Sequence, residues 1–446
     1  MLALSMEKER ELRVFLRMLA NTVWAVGLVA VLSSCGTSPG YSYTLGGTVS
    51  GMVGSGMVLQ NNGGDDRSIS ADGSFSFATP LTDGSAYAIT VKTQPTNPSQ
   101  TCSVSDGSGT INGAPVGSAV INCVTGPTSV TVDPSGQFAY AANTNGTISA
   151  YTIDQTYGTL TALGTPVTAG TYPTSVTVDP LKRGFAYAVD TVGGTIWTYK
   201  INSDGTLTAL GTPVAAGEYP ASVTVDQSGQ FVYVANMGDN TISAYKINSA
   251  DGTLTALGTA VAAGMSPASI ITVLVGSSEF AYVANMSDST IWAYTIETDG
   301  TLTALGTPVA AGTDPSSVTV DQSGKFVYVA NEFSNNISVY TIDQTTGALV
   351  AGTPVAAGTD PTSIITVKLP VGEFAYATNS GDGTISTYTI DPTYGTLTVL
   401  GTPVPAGTYP ASVTVDPLGR FAYVANMGGG NILVYKINSD GTLTPQ

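Results

Sequence analysis

Histidine occurs nowhere in the 446 residues. Its absence removes Ser-His-Asp and Cys-His machinery, a histidine general base and His-ligated zinc from the possible chemistries. Charge is scarce as well, at 10% of residues against the usual quarter, so Thr, Ser, Asn and Gly must carry solubility. Beyond Cys35 the arginines are only Arg67, Arg183 and Arg420, which leaves no converging cations for a phosphorylated substrate. No ten-residue amphipathic helical stripe is present. No phosphate-cradling glycine loop or dinucleotide fingerprint stands out either, because each glycine sits where a β turn needs one.

What is there reads as strand and turn. Hydrophobic residues make up 42%, and 52 Gly and 24 Pro punctuate short apolar runs, which favours an all-β chain. One text recurs seven times, each copy opened by a proline: Pro127, Pro173, Pro220, Pro267, Pro315, Pro361 and Pro410. The clearest copy follows Pro220 with SVTVD, a Ser228-Gly229 turn, FVYVAN, a polar bend, TISAYKI, a turn at Asp251-Gly252 and TLTALGTAVAAG. Successive starts lie 46 to 49 residues apart, and four short strands per unit mark a propeller blade. One such blade cannot bury both faces, so neighbours must cover them and the array must close. The last copy stops at Thr442-Leu443-Thr444-Pro445-Gln446, which predicts a short fourth strand there.

The amino terminus has a different character. Met18 to Leu32 is an apolar run behind Arg13 and Arg17, too short for a comfortable membrane span and suited to a signal-peptide core. Its end, Leu32-Ser33-Ser34-Cys35-Gly36, resembles the bacterial lipoprotein signal. The resemblance implies cleavage after residue 34, diacylglyceryl attachment at Cys35 and a tether over residues 35–40. Gly36 in place of Asp then points to the outer membrane or cell surface of a bacterial envelope. Past Cys35 the chain holds 10 basic against 28 acidic residues, about −18 overall. Such a field makes nucleic acid and anionic lipid poor partners.

From Tyr41 to Val124, alternating segments separated by Gly, Asn and Asp clusters predict a small β-sandwich, the first domain of residues 41–125. With Cys35 lipidated, Cys102 and Cys123 make an even pair in an exported protein, and a disulfide is expected. Closing that loop is worth about 3 kcal/mol in the chain-entropy model. The bend Asn61-Asn62-Gly63-Gly64-Asp65-Asp66 reads as a hairpin loop rather than a calcium site. No metal or cofactor is implied, and the chain is expected to be a monomer.

The FAYVAN and GTxTALGTPVAAG texts resemble the seven-bladed propellers of the bacterial lactonase-like family, typified by 6-phosphogluconolactonase, and the related YVTN surface repeats. The resemblance spans Pro127 to Gln446, about seven-tenths of the chain. It implies that SVTV lines a central channel and that the loops after FAYVAN share one rim with the AAGTxP connections. The recurring Asn143, Asn236, Asn285, Asn331, Asn379 and Asn426, with Asp190 in the second blade, belong to every repeat and read as structural. Departures from the repeat are the better candidates for binding: Asp190, Glu218, Asp314, Glu332 with Phe333, and Asp360. Trp197 and Trp292 read as packing residues. In blades four and six, two extra residues between Ser and Phe predict a longer first turn on the opposite face. From sequence, the first expectation is a non-catalytic, lipid-anchored envelope module that binds a protein or glycan at the rim. The alternative is a lactonase-type hydrolase of sugar lactones, in which Glu332 or Asp190 would serve as base.

Overall fold

The structure is a computed structural model that describes residues 41–446 apart from 51, 53–55, 96–100 and 125. The expected signal peptide and Cys35 lie outside the described residues. Every element among them is a strand or a turn.

The first domain pairs Leu45–Ser50 with Gly73–Ser76 and, in parallel, with Val116–Val124, which also pairs with Thr101–Ser105. A second sheet joins Asp65–Ile69, Met57–Asn61, Ala86–Thr93 and Ser108–Gly109-Thr110. Leu45, Met57, Leu59, Ala119 and Ile121 are fully buried in one core, because alternate residues of each strand point inward. Cys102 and Cys123 face each other on paired strands and are joined by a disulfide, 3.9 Å apart at Cα. The Asn61–Asp66 bend is a hairpin, with Asn62 and Gly63 at φ 49° and 72°. Asp66 of that bend is engaged by Lys92 and Gln60.

The seven repeats are seven antiparallel sheets, each contiguous in the chain. Their first strands, such as Pro220–Val225 and Pro315–Val320, pack one against the next in an unbroken circle, with Pro127–Val132 meeting Pro410–Val415. Ser in the SVTV text has a specific use there. Its hydroxyl accepts an amide from the next blade's first strand, as Ser175 does from Val223, Ser222 from Ile270 and Ser317 from Ile364 (3.2–3.3 Å). In five blades the turn after the first strand is built by its Asp: Asp226 accepts the Phe231 amide at 2.7 Å and holds Ser228.

At six of the seven seams two tyrosines bolt neighbours together. The second-strand tyrosine donates its hydroxyl to a glycine carbonyl in the next blade: Tyr140 to Gly205, Tyr187 to Gly252, Tyr233 to Gly300, Tyr282 to Gly347, Tyr328 to Gly395 and Tyr376 to Gly441, all 2.9–3.1 Å. The third-strand tyrosine reaches back to the previous blade's outer strand, as Tyr245 does to Ala215 and Tyr340 to Ala310 (2.7 and 2.8 Å). Glycine is required at these contact turns. Gly300 has φ +86°, and a β-carbon on it would stand 2.3 Å from the Phe231 ring.

Two expectations meet the structure differently. The last blade does have a short fourth strand, Leu443–Pro445, and among the described residues nothing pairs with the outer edge of Asn431 and Ile432. In blades four and six the extra residues lengthen the strands, not the turn. Pro267–Val275 pairs Val275 with Ser278, and Pro361–Leu369 pairs Leu369 with Gly372, each across two residues. These copies lack the Asp-x-Ser-Gly text, so no side chain ends the ladder early. Their Glu279 and Glu373 instead accept the amides of Gln227 and Gln322 in the preceding blades (2.8 and 2.6 Å).

Candidate active site at the channel mouth

The mouth is built from two columns of the repeat. The residue before each blade-opening proline presents its carbonyl to the amide of the residue after the second strand. The pairs run Gly126/Thr144, Tyr172/Thr191, Tyr219/Met237, Ser266/Met286, Asp314/Glu332, Asp360/Ser380 and Tyr409/Met427, all 2.9–3.0 Å. The same backbone hydrogen bond therefore carries six different side-chain pairs at seven stations, Tyr/Met occurring twice. The acidic pairs fall in adjacent blades five and six, and tyrosines come from blades two, three and seven.

Several of these side chains converge. Tyr172 of blade two reaches past blade one, which offers only Gly126 and Thr144 at its station, and its hydroxyl lies 3.8 Å from Met427 Sδ in blade seven. The Tyr409 hydroxyl is held well above the usual tyrosine range, first by burial and then by the charges of Glu332, Tyr172 and Asp360. One phenol of blade seven thus feels groups from blades two, five and six. It remains a proton donor throughout the physiological range, within the field of two carboxylates able to accept a proton.

The five candidates from sequence separate accordingly. Glu332 and Asp360 act on the Tyr409 site. Asp314 is buried at 3% exposure, at φ +53°, and its carbonyl accepts the Glu332 amide. Phe333 is exposed on the same loop. Asp190 is not presented to a ligand: at 2% exposure its carboxylate accepts the Thr171 and Tyr172 amides (2.9 and 2.8 Å) and fixes the connector that carries Tyr172. Glu218 lies outside the mouth, exposed beside Asp239, whose carboxylate accepts its amide at 2.6 Å.

In blades three, five and six the asparagine column serves the backbone. Asn236 accepts the Gly217 amide at 3.0 Å and donates to Thr241 and Ser243, and Asn331 and Asn379 bind Gly312 and Gly358 in the same way. Trp197 and Trp292, on third strands, pack part-buried against the cores between neighbouring blades, the first at the seam that also holds Leu163 and Val167 and the second at the seam of Leu257 and Val261. Tyr172, Tyr409 and Met427 were not legible as site residues. The signal was the column before the proline, which varies while its surroundings do not.

No Lys or Arg occupies any loop of this rim. Arg183 and Arg420 stand in turns between first and second strands, bound to the buried Asp179 and Asp416. Among the described residues, no three Asp, Glu, Cys or His side chains are gathered so as to hold a metal ion.

A family model described as "Lactonase, 7-bladed beta-propeller" matches residues 100–214, 184–273, 268–366 and 350–446. Among solved structures, a Bacteroides uniformis protein described as a candidate 6-phosphogluconolactonase is 24% identical, with TM-score 0.59 over 67% of this chain and 90% of its own. A Lactobacillus plantarum protein is 26% identical, with TM-score 0.58 and the same coverages of 67% and 90%. The periplasmic gluconolactonase of Pseudomonas aeruginosa is 18% identical, with TM-score 0.55 over 63% of this chain and 86% of its own. No curated protein sequence matches the chain.

Proposed function

Since the chain belongs to the lactonase family of seven-bladed β-propellers, we propose that it hydrolyses an uncharged sugar lactone at the mouth of its central channel. The observation that carries this reading is that the half-buried Tyr409 hydroxyl lies in the field of the Glu332 and Asp360 carboxylates, on a rim whose loops hold no cation. Lactone hydrolysis needs a base for water and a donor for the oxygen that gains charge, and this cluster offers both.

In the proposed step Glu332 takes a proton from water as the water oxygen bonds to the lactone carbonyl carbon. Tyr409 donates a hydrogen bond to the resulting oxyanion. The ring C–O bond then breaks, the proton passes from Glu332 to the departing ring oxygen, and a hydroxy acid leaves. Tyr172 walls the opposite side, with its backbone held by Asp190. A phosphate ester finds no cation on this rim, so the neutral lactone is the better substrate.

A non-catalytic protein- or glycan-binding module, the first expectation from sequence, draws on the near-identity of the blades. At the mouth that near-identity ends, which is why the hydrolase is preferred. The lipoprotein-like text at Leu32 to Gly36 supports the further proposal of a monomer tethered through Cys35 to a bacterial envelope, and mass spectrometry of the mature amino terminus tests it.

Titration of released acid with glucono-1,5-lactone and with its 6-phosphate tests the catalytic reading. The expected result is turnover of the neutral lactone above the spontaneous rate, lowered about 10²- to 10⁴-fold in Glu332→Gln at unchanged melting temperature. No acceleration by the wild type, or a preference for the phosphate ester, contradicts it.

A further inference from the structure

We propose a second binding site, for a neutral pyranose sugar of a glycan, in the rim notch between blades two and three. This notch of about 450 Å³ is bounded by Val192 and Gly193 of one loop and by Glu218, Tyr219 and Asp239 of the next. It shares Thr191 and Tyr219 with the edge of the mouth but is lined by none of Glu332, Asp360 and Tyr409, and it does not depend on the hydrolytic reading.

Tyr219 supplies the platform. It occupies the same column as Tyr172 and Tyr409, yet it is 54% exposed whereas those two are half-buried. Its ring lies over Gly238, where a β-carbon would stand 2.7 Å from Cδ2, so the glycine leaves the ring its place. Val192, at 60% exposure, adds an apolar edge on the facing loop. An exposed aromatic face beside an aliphatic edge suits the axial C–H face of a sugar whose hydroxyls are equatorial.

The polar part of the notch selects for charge. Glu218 is exposed, and Asp239 is exposed with one carboxylate oxygen taken by the Glu218 amide. These carboxylates accept hydrogen bonds from sugar hydroxyls. With two carboxylates here and a chain at −17, anionic sugars are repelled. A neutral, all-equatorial glucan fits both constraints.

Titration calorimetry of the full chain with cellotriose tests the site. Wild type and Tyr219→Phe are expected to bind alike, because the phenyl face is kept. Tyr219→Ala and Gly238→Ser, which removes or displaces the ring, are expected to lose at least about tenfold in affinity, equivalent to about 1.4 kcal/mol. Glu332→Gln, which disables the proposed mouth chemistry, is expected to bind cellotriose as wild type does. Absence of binding by the wild type, equal affinity in Tyr219→Ala, or loss of binding in Glu332→Gln overturns the proposal. Circular dichroism of each variant confirms that an affinity loss is not unfolding.

Discussion

Six of the seven blade-to-blade seams are copies of one another, and the seventh, between the last blade and the first, is not. In the six, a tyrosine hydroxyl reaches forward to a glycine carbonyl, and another reaches back to the preceding outer strand. At the seventh seam Gly158 still abuts Phe421, but the buried Tyr423 hydroxyl has no partner and neither does the buried Asn426 side chain. Six hydrophobic residues are buried there, whereas each other seam buries ten to twelve. Arg420 answers with a polar clasp, donating to the Gln155 carbonyl and side chain at 3.1 and 2.9 Å. The difference shows that closure rests on local partners that each copy brings, and that at the last seam the final copy's own Tyr423 and Asn426 are left unmatched.

Paired core truncations should separate the seams most strongly. Ile242, fully buried in blade three, should lose about 2–5 kcal/mol on substitution by alanine, measured by denaturant unfolding. The same change at Ile432, which is only half-buried beside the unpaired edge, should cost less than half as much. Equal losses would mean that the last seam is packed as well as the rest.

Removing one hydroxyl makes a finer comparison. Tyr233→Phe strands the buried Gly300 carbonyl and should cost about 1–3 kcal/mol. Tyr423→Phe should be neutral or slightly stabilising, since its hydroxyl is buried without a partner.

The smallest expected effect concerns the braces of blades four and six. Burial is the main force raising the Glu373 carboxyl above its usual range. The Gln322 amide opposes that shift, the Asp321 charge adds to it and Lys368 opposes it. A carboxyl raised in the fold binds its proton more tightly there than in the unfolded chain. Its contribution therefore declines as pH rises from the ordinary glutamate value through the higher one of the fold. Glu373→Gln keeps an oxygen acceptor for Gln322 and should flatten that decline. Melting temperatures across this window, wild type against variant, check it, and a steeper decline in the variant would reverse the sign.

The architecture was legible because it depends on periodic, local chemistry. Prolines opening each copy, Asp-x-Ser-Gly turns and alternating FVYVAN segments each act within a few residues, so spacing alone exposes them. The longer hairpins of blades four and six were misjudged because an insertion does not say whether a ladder or a turn absorbs it. Pairing of Leu274 with Glu279 decides that, and pairing is a property of three dimensions. The site was half legible. Glu332 and Asp360 stood out as carboxylates that break the repeat, and so did Asp190, which the fold spends on two backbone amides. Tyr172 and Tyr409 were passed over because buried tyrosines abound in this chain, and only their position before the proline turns them toward the channel mouth.

The most direct test of the account is where a sugar lactone comes to rest. A crystal of the Glu332→Gln variant soaked in glucono-1,5-lactone should show the ring at the mouth, with its carbonyl oxygen near the Tyr409 hydroxyl and Tyr172 beside it. Lactone bound only elsewhere on the propeller, or an empty mouth at saturating concentration, would contradict it.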